Sequence, residues 1–174
     1  MANKQALRDL QTRLAERLQA ARTEPLAKSW LAVECNARGF LFPLRDAGEI
    51  FAVAPLVPVP HSHPWFLGVT NLRGHLHGVV DLAGFLGIKS ADASRDQARL
   101  VGFNQSLNIN CVLLVDKLSG LRSEDELTRA GDEPGARPAF AGSRFSDASA
   151  RIWQELNLAE LSGDESFLRI VGAR

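Results

Sequence analysis

The chain contains no tyrosine, a single methionine and only two cysteines, Cys35 and Cys111. Two cysteines cannot make a disulfide framework, and by themselves they cannot make a structural zinc site. Both fall in apolar, strand-like runs, where a thiol is a small inert core residue, so neither is expected to be a nucleophile. Without tyrosine, and with phenylalanines in core-like patterns, the chain lacks the interleaved aromatic and basic residues of a nucleic-acid groove. It also lacks an excess of charge: 20 Lys+Arg face 20 Asp+Glu. That balance removes any general pull toward nucleic acid or an anionic membrane. No apolar run approaches the roughly 20 residues of a membrane span. The opening MANKQALRDL is too polar for a signal peptide, so a reducing, cytoplasmic setting is expected. There the Asn104-Gln105-Ser106 sequon would go unused. The glycine-rich phosphate and dinucleotide loops and the G-x-S-x-G nucleophile elbow are all missing.

What remains is a globular chain, 45% hydrophobic, in which the period of the apolar residues changes along its length. Leu7, Leu10, Leu14, Leu18 and Ala21 recur at steps of three and four, which predicts an amphipathic helix over residues 1–26. Asp9 and Arg13 support each other on its exposed side, and Glu24-Pro25 ends it. Such a helix either covers the core or docks on a partner. From Trp30 the period becomes two. WLAVEC reads as a half-buried strand, Asn36 to Gly39 as a turn, and GFLF as the return strand of a hairpin. LRDAGEI reads as an irregular or helical turn. Pro55, Pro58 and Pro60 then exclude a helix and an unbroken central strand.

Phe66 to Thr70 and Gly78 to Leu82 form a second hairpin around a polar tip, Asn71 to Gly74, with a helical turn after it at Ala83 to Gly87. KSADASRDQ, residues 89–97, carries almost no bulky apolar groups and reads as a surface connection. RLVGF and INCVLLVDKL resume strand character, with Ile109, Cys111, Leu113 and Val115 on one face. A run near Ser119 to Thr128 is weaker. Residues 131–150, rich in Gly, Pro, Ser and Ala, read as a long functional or mobile loop. Leu156, Leu158 and Leu161 suggest a helical turn, and SFLRIV a closing strand. Many short strands punctuated by glycine and proline point to small β-barrels, with the strand-hairpin theme recurring on each side of residue 90.

Two places hold candidate chemistry. All four histidines lie within seventeen residues, His61, His63, His75 and His77. Residues two apart on a strand share a face, so the two pairs on neighbouring strands could offer four nitrogens to a metal, the arrangement of a metal-dependent hydrolase. The other place is the hairpin tip. Asn71 and Gly74 are explained as turn chemistry. Arg73 is not: an arginine held on a rigid turn offers five donors at small entropic cost, which suits a protein interface.

The run GVTNLRGHLHGVVDLAGFLG resembles the signature of the CheW-type chemotaxis coupling domains, matching it at Gly68, Val69, Asn71, Leu72, Arg73, Gly74, Val80, Asp81 and Leu82. LRDAGEI and NCVLLVDKLSGL resemble flanking segments of the same family. The resemblance implies a mainly β fold over residues 28–174, two small SH3-like five-stranded β-barrels joined near 89–97, with the amino-terminal helix outside them. It implies no enzymatic activity and no cofactor. The implied partners are the regulatory domain of a CheA-type histidine kinase and the cytoplasmic tip of a methyl-accepting chemoreceptor. Carried over by position, Asn71 and Arg73 belong to the coupling surface, Gly68 and Gly74 shape its hairpin, Glu49 flanks it, and Asp81 orders the following turn. PWFLGVTNLRG, WQELNLAEL and the leucine-bearing amino terminus most resemble the branch that serves type IV pili and twitching motility. The chain departs from the pattern at Gly78, where the family has an apolar residue or proline, and in residues 131–150, which lack a Y-x-x-G-x-G run.

Overall fold

The computed structural model describes residues 28–88 and 95–172. The helix predicted over 1–26 and most of the 89–97 connection lie outside the described residues. Among the described residues no helix is long and apolar enough to cross a membrane.

The first hairpin forms as its pattern dictates. β1 (Ser29–Cys35) runs antiparallel to β2 (Arg38–Pro43), closed by Asn36 and Ala37, both with positive φ. β3 (Ala47–Ala52) follows, where the sequence reads as an irregular turn. The reason is Gly48: a Cβ there would sit 2.4 Å from the Phe103 carbonyl oxygen, so only glycine lets the two backbones meet. β4 (Phe66–Leu72) and β5 (His75–Asp81) make the second hairpin. Asp81 then caps the short helix α1 (Leu82–Phe85) through the Gly84 N–H. β6 (Arg99–Phe103), β7 (Cys111–Val115) and β8 (Lys117–Ser123) come next. After β9 (Thr128–Ala130), six residues of the long loop expected over 131–150 form a strand, β10 (Ala141–Ser146), pairing with β11 (Ile152–Leu156). Two short helices, α2 (Leu158–Gly163) and α3 (Glu165–Leu168), complete the fold. The closing strand expected at SFLRIV is therefore a helix. Asp164 accepts from the Ser166 and Phe167 N–H groups and starts it, and buried Phe167 anchors it. One bridge, Val171 to Ser62, is all that remains of the strand.

The mainly β, two-barrel expectation holds, with one sheet larger than expected. One sheet has five strands, β3-β6-β7-β5-β4, and the other six, β8-β1-β2-β11-β10-β9. The division between them is not at 89–97. That segment connects α1 to β6 inside the five-stranded sheet, so the middle of the chain is inserted between β2 and β8 of the other. Long-range pairing decides this: β11 runs parallel to β2, with Trp153 opposite Gly39. A Cβ on Gly39 would lie 2.5 Å from the Trp153 ring.

Strand alternation explains the core. Leu31, Val33 and Cys35 of β1 and Cys111, Leu113 and Val115 of β7 enter a core shared by both sheets. The opposite face of β1, Trp30 and Ala32, packs with Leu41 and Trp153. The opposite face of β7, Val112 and Leu114, packs with Leu72, Val79 and Leu100. Each sheet thus encloses a small core of its own and contributes to a common one, which is why both strands read as almost continuous apolar runs.

Candidate functional site

The site is the tip of the β4–β5 hairpin. Leu72 faces His75 across the ladder, leaving a two-residue loop, Arg73-Gly74, with φ of 51° and 84°. Positive φ at both loop residues is the type I′ turn, whose twist matches the strands it joins. The Asn71 side-chain oxygen accepts the Gly74 N–H at 2.9 Å and fixes the loop. Gly74 serves as its sequence suggests. The sequence gives no sign that Arg73 is also left-handed. This is the position where Asn, Asp or Gly is preferred and arginine carries a cost of about 1 kcal/mol.

What arginine gains there is a fixed orientation. One Arg73 guanidinium nitrogen lies 2.6 Å from Glu49 Oε1, and the guanidinium carbon stands 5.9 Å from the centre of the Phe51 ring. Glu49 reaches it because the β3–β6 register slips between Ala47 and Ile50, a bulge that re-aims the side chain at the sheet edge. The side chains of Arg73 and Glu49 are 74% and 44% exposed. An ion pair so open to solvent contributes 1 kcal/mol at most. The pair therefore does little for folding and instead holds a charged group in a set geometry at the surface. Phe51 and Gly48 are the residues that sequence reasoning missed. Gly48 had no readable signal, because in the charged segment LRDAGEI a glycine reads as part of a turn.

Gly68 shapes the base of the hairpin. Its φ is +129°, and a Cβ would come 2.2 Å from the Val57 carbonyl oxygen. That space admits the proline-bearing segment 53–60 against the outer edge of β4. Val57 and Val69 exchange two backbone hydrogen bonds there, of 2.8 and 2.9 Å. Asp81 stays inside, capping α1 and pairing with Arg95 at 3.7 Å.

The histidines do not assemble into one site. His75 and His77 line a cleft of about 850 Å³ beside Arg73 and Glu49. His63 stacks on Trp65 at 5.2 Å and lines a separate pocket with Phe85 and Phe140. His61 lies in the turn before β4, its carbonyl accepting the Gly172 N–H. No group of three His, Cys, Asp or Glu side chains among the described residues could hold a metal ion. His61 and His63 lie outside the strands, in the segment before β4, and His63 lines a different pocket from His75 and His77, so the four-nitrogen arrangement, and the hydrolase reading built on it, is set aside. Burial pushes the Cys35 and Cys111 thiols up to about 12, which keeps them protonated and unreactive.

Two packed sheets and a two-residue hairpin turn that carries a clamped arginine at its tip define a small mainly β domain, and the chain belongs to the CheW-like domain family, which residues 29–165 match. Among its relatives is Protein PilI of Pseudomonas aeruginosa, 29% identical over 110 residues, which are 63% of this chain and 61% of PilI. Chemotaxis protein CheW of Rhizobium meliloti is 36% identical over 91 residues, 52% of this chain and 57% of that protein. The chain thus spans about three fifths of the length of either relative. The scaffolding protein TtCheW from Thermoanaerobacter tengcongensis superposes with a TM-score of 0.60 over 75% of this chain and 89% of its own. At 16% identity that likeness concerns the fold.

Proposed function

We propose that this protein is a non-enzymatic adaptor that couples a methyl-accepting receptor to a CheA-type histidine kinase, in a chemosensory system controlling type IV pili. The observation that carries the reading is Arg73, kept in a left-handed turn against its conformational preference and clamped by Glu49 and Phe51 at an exposed tip. Strain of this kind persists where function needs it. Membership of the CheW-like family supports the adaptor role, and the likeness to PilI supports the pilus branch. In this reading Asn71, Arg73 and Glu49 meet the partner, while Gly68 and Gly74 set the hairpin they stand on. Coupling is interfacial: the adaptor holds receptor tip and kinase regulatory domain together at the cytoplasmic end of the receptor, and no bond is made or broken.

The test is a pull-down of the purified chain with a receptor cytoplasmic fragment and with the regulatory domain of the CheA-type kinase from the same genome, for wild type and Arg73→Ala. Binding by wild type that falls at least tenfold in the variant is the expected result. Equal binding by both would remove the hairpin from the coupling surface, and no binding by wild type would overturn the adaptor role.

A further inference from the structure

We propose that residues 1–26 dock on their own domain, laying the stripe Leu7, Leu10, Leu14, Leu18 and Ala21 across the end of the β8–β1–β2 face where the chain enters β1. The contact is intramolecular and independent of which partners the protein serves.

That end of the face carries apolar surface open to solvent. Leu121 of β8 stands opposite Leu31 of β1, so the two side chains share one side of the sheet. Leu44 continues the β1–β2 ladder, its N–H donating to the Ser29 carbonyl oxygen at 2.9 Å, two residues further along the same side. Deeper on this side Leu31, Val33 and Phe42 are core. At its outer end Leu121 and Leu44 are 59% and 42% exposed. Two strand spacings and a two-residue offset set them about 12 Å apart. Leu44 also lines, with Lys28, Trp30 and Pro43, a cleft of about 610 Å³ at the strand ends.

The leucine stripe matches this surface in spacing. In a helix Leu10 and Leu18 lie about 12 Å apart along the axis, the separation of the two exposed leucines. At about 100° per residue the five stripe residues fall on one side and Asp9 and Glu16 on the other. A helix of this length is marginal alone in water and depends on burying its apolar stripe.

The tether decides which surface it meets. Lys28 is anchored beside this face, its carbonyl oxygen accepting the Glu124 N–H at 3.0 Å. Pro25, Leu26 and Ala27 alone separate it from the end of the predicted helix at Glu24. A tether that short holds the stripe beside Leu44 and Leu121 at an effective concentration on the order of millimolar, which a second copy or a separate partner would have to exceed. Charge acts in the same direction. Residues 1–27 carry five basic residues, Lys4, Arg8, Arg13, Arg17 and Arg22, against three acidic ones, Asp9, Glu16 and Glu24. Next to the anchor, the short helical turn Glu124–Glu126 exposes three carboxylates. The cations lining the cleft are Lys28 itself and Arg45, which already stands 3.7 Å from Asp46, so acidic groups are in excess at this end.

The experiment is crosslinking within the full chain by a short bis-maleimide at low protein concentration, with one cysteine placed on the segment and one on the face. Cys35 and Cys111 are buried and do not compete. The face cysteine is Leu44→Cys or Leu121→Cys, both exposed positions, and circular dichroism checks folding. The segment cysteine is Leu14→Cys, on the stripe, or Glu16→Cys, on the opposite side. A segment that merely hangs from Lys28 brings Glu16, two residues nearer the anchor, to the face at least as often as Leu14. A docked segment presents Leu14 and turns Glu16 away. The expected result is a crosslinked monomer that forms at least about tenfold faster with Leu14→Cys than with Glu16→Cys, the kind of gain that a fixed geometry gives over a loose tether. Adding Leu10→Glu and Leu18→Glu abolishes the difference. Equal rates for the two positions overturn the inference. So do crosslinks found only in dimers, which would give the stripe to a second copy. A preference for Leu14 that appears only after the receptor fragment or kinase regulatory domain is added would give it to a partner and overturn the inference as well. The pull-down with those two fragments reports on the adaptor role alone, so the two readings fail independently.

Discussion

Replacing Arg73 by asparagine separates the cost of the turn from its purpose. Asparagine is among the residues that adopt the left-handed conformation readily, so Arg73→Asn relieves about 1 kcal/mol of backbone strain. Against this stand two losses. The Glu49 pair, with side chains 74% and 44% exposed, contributes about 0.5 kcal/mol. The guanidinium over Phe51, at 5.9 Å, contributes about 0.5–1 kcal/mol at an exposed site. Gain and losses nearly cancel, so the variant unfolds in urea within about 1 kcal/mol of wild type. Its affinity for the kinase regulatory domain or receptor fragment, read by calorimetry, falls at least tenfold. Arg73→Ala keeps the strain and loses the same contacts, and is the less stable of the two variants. A loss of more than about 2 kcal/mol in Arg73→Asn would show that the arginine is structural and refute the reasoning. Full binding by a stable variant would refute it from the other side.

Gly68→Ala forces a Cβ to within 2.2 Å of the Val57 carbonyl oxygen at a φ of +129°. Losing both Val57–Val69 bonds and adding backbone strain destabilises the protein by about 3 kcal/mol in urea unfolding; a change under about 1 kcal/mol would mean the 53–60 segment is not held there. Glu34 is kept below the usual carboxylate range, first by the hydrogen bond from Arg151 and further by one from Ser119. Because its folded pKa is depressed, its stabilising contribution is present above the ordinary glutamate value of 4.5 and is lost as pH falls through the lower folded value. Arg151→Gln should therefore cost stability at neutral pH and progressively less below that window, checked by urea midpoints down to about pH 3. A deficit that does not shrink on acidification would exclude Glu34 as the cause. Cys35 and Cys111, both buried with thiols pushed up to about 12, should resist a thiol reagent at about pH 8 until denaturant is added; prompt labelling of the folded protein would contradict the packing.

The parts of this fold that are legible in the sequence are those whose partners are close in the chain. The β1–β2 and β4–β5 hairpins and the Asn71–Gly74 turn follow from alternation and turn chemistry within a few residues, and the place of Asp81 at the following turn from the family resemblance. β10 and β11 do not. Their apolar residues are sparse, and Trp153 finds its place opposite Gly39 only through a parallel pairing that no local pattern announces. The segment after Asp164 carries the apolar residues of a strand, but the aspartate side chain caps it into a helix. At the site, Arg73 stood out as an arginine that turn chemistry did not require, and the structure supplies the reason it stands out. Its clamp was half visible: Glu49 followed from the family pattern, whereas Phe51 and His77 reach the tip through the β3–β6 slip and the β4–β5 register. The histidine cluster was legible as a cluster and misleading as a site, because nearness in sequence straddles the segment that enters the hairpin.

The insertion of β3–β7 between β2 and β8 bears on the order in which the molecule can be finished during synthesis. Every strand of the five-stranded sheet lies in one continuous stretch, residues 47–115. The outer sheet has no such independence: Trp30 waits for Glu155, 125 positions away, to receive its indole N–H. At a translation rate of about 5–20 residues per second, that wait is on the order of ten seconds. The inserted unit can close in the interval, and its hairpin tip, with Glu49, Phe51 and Arg73, is complete before β11 has been made. The hairpin proposed for coupling can then exist before the six-stranded sheet is closed, and β11 with α2 and α3, made later, bring Leu156, Leu158, Leu161 and Phe167 to seal the shared core.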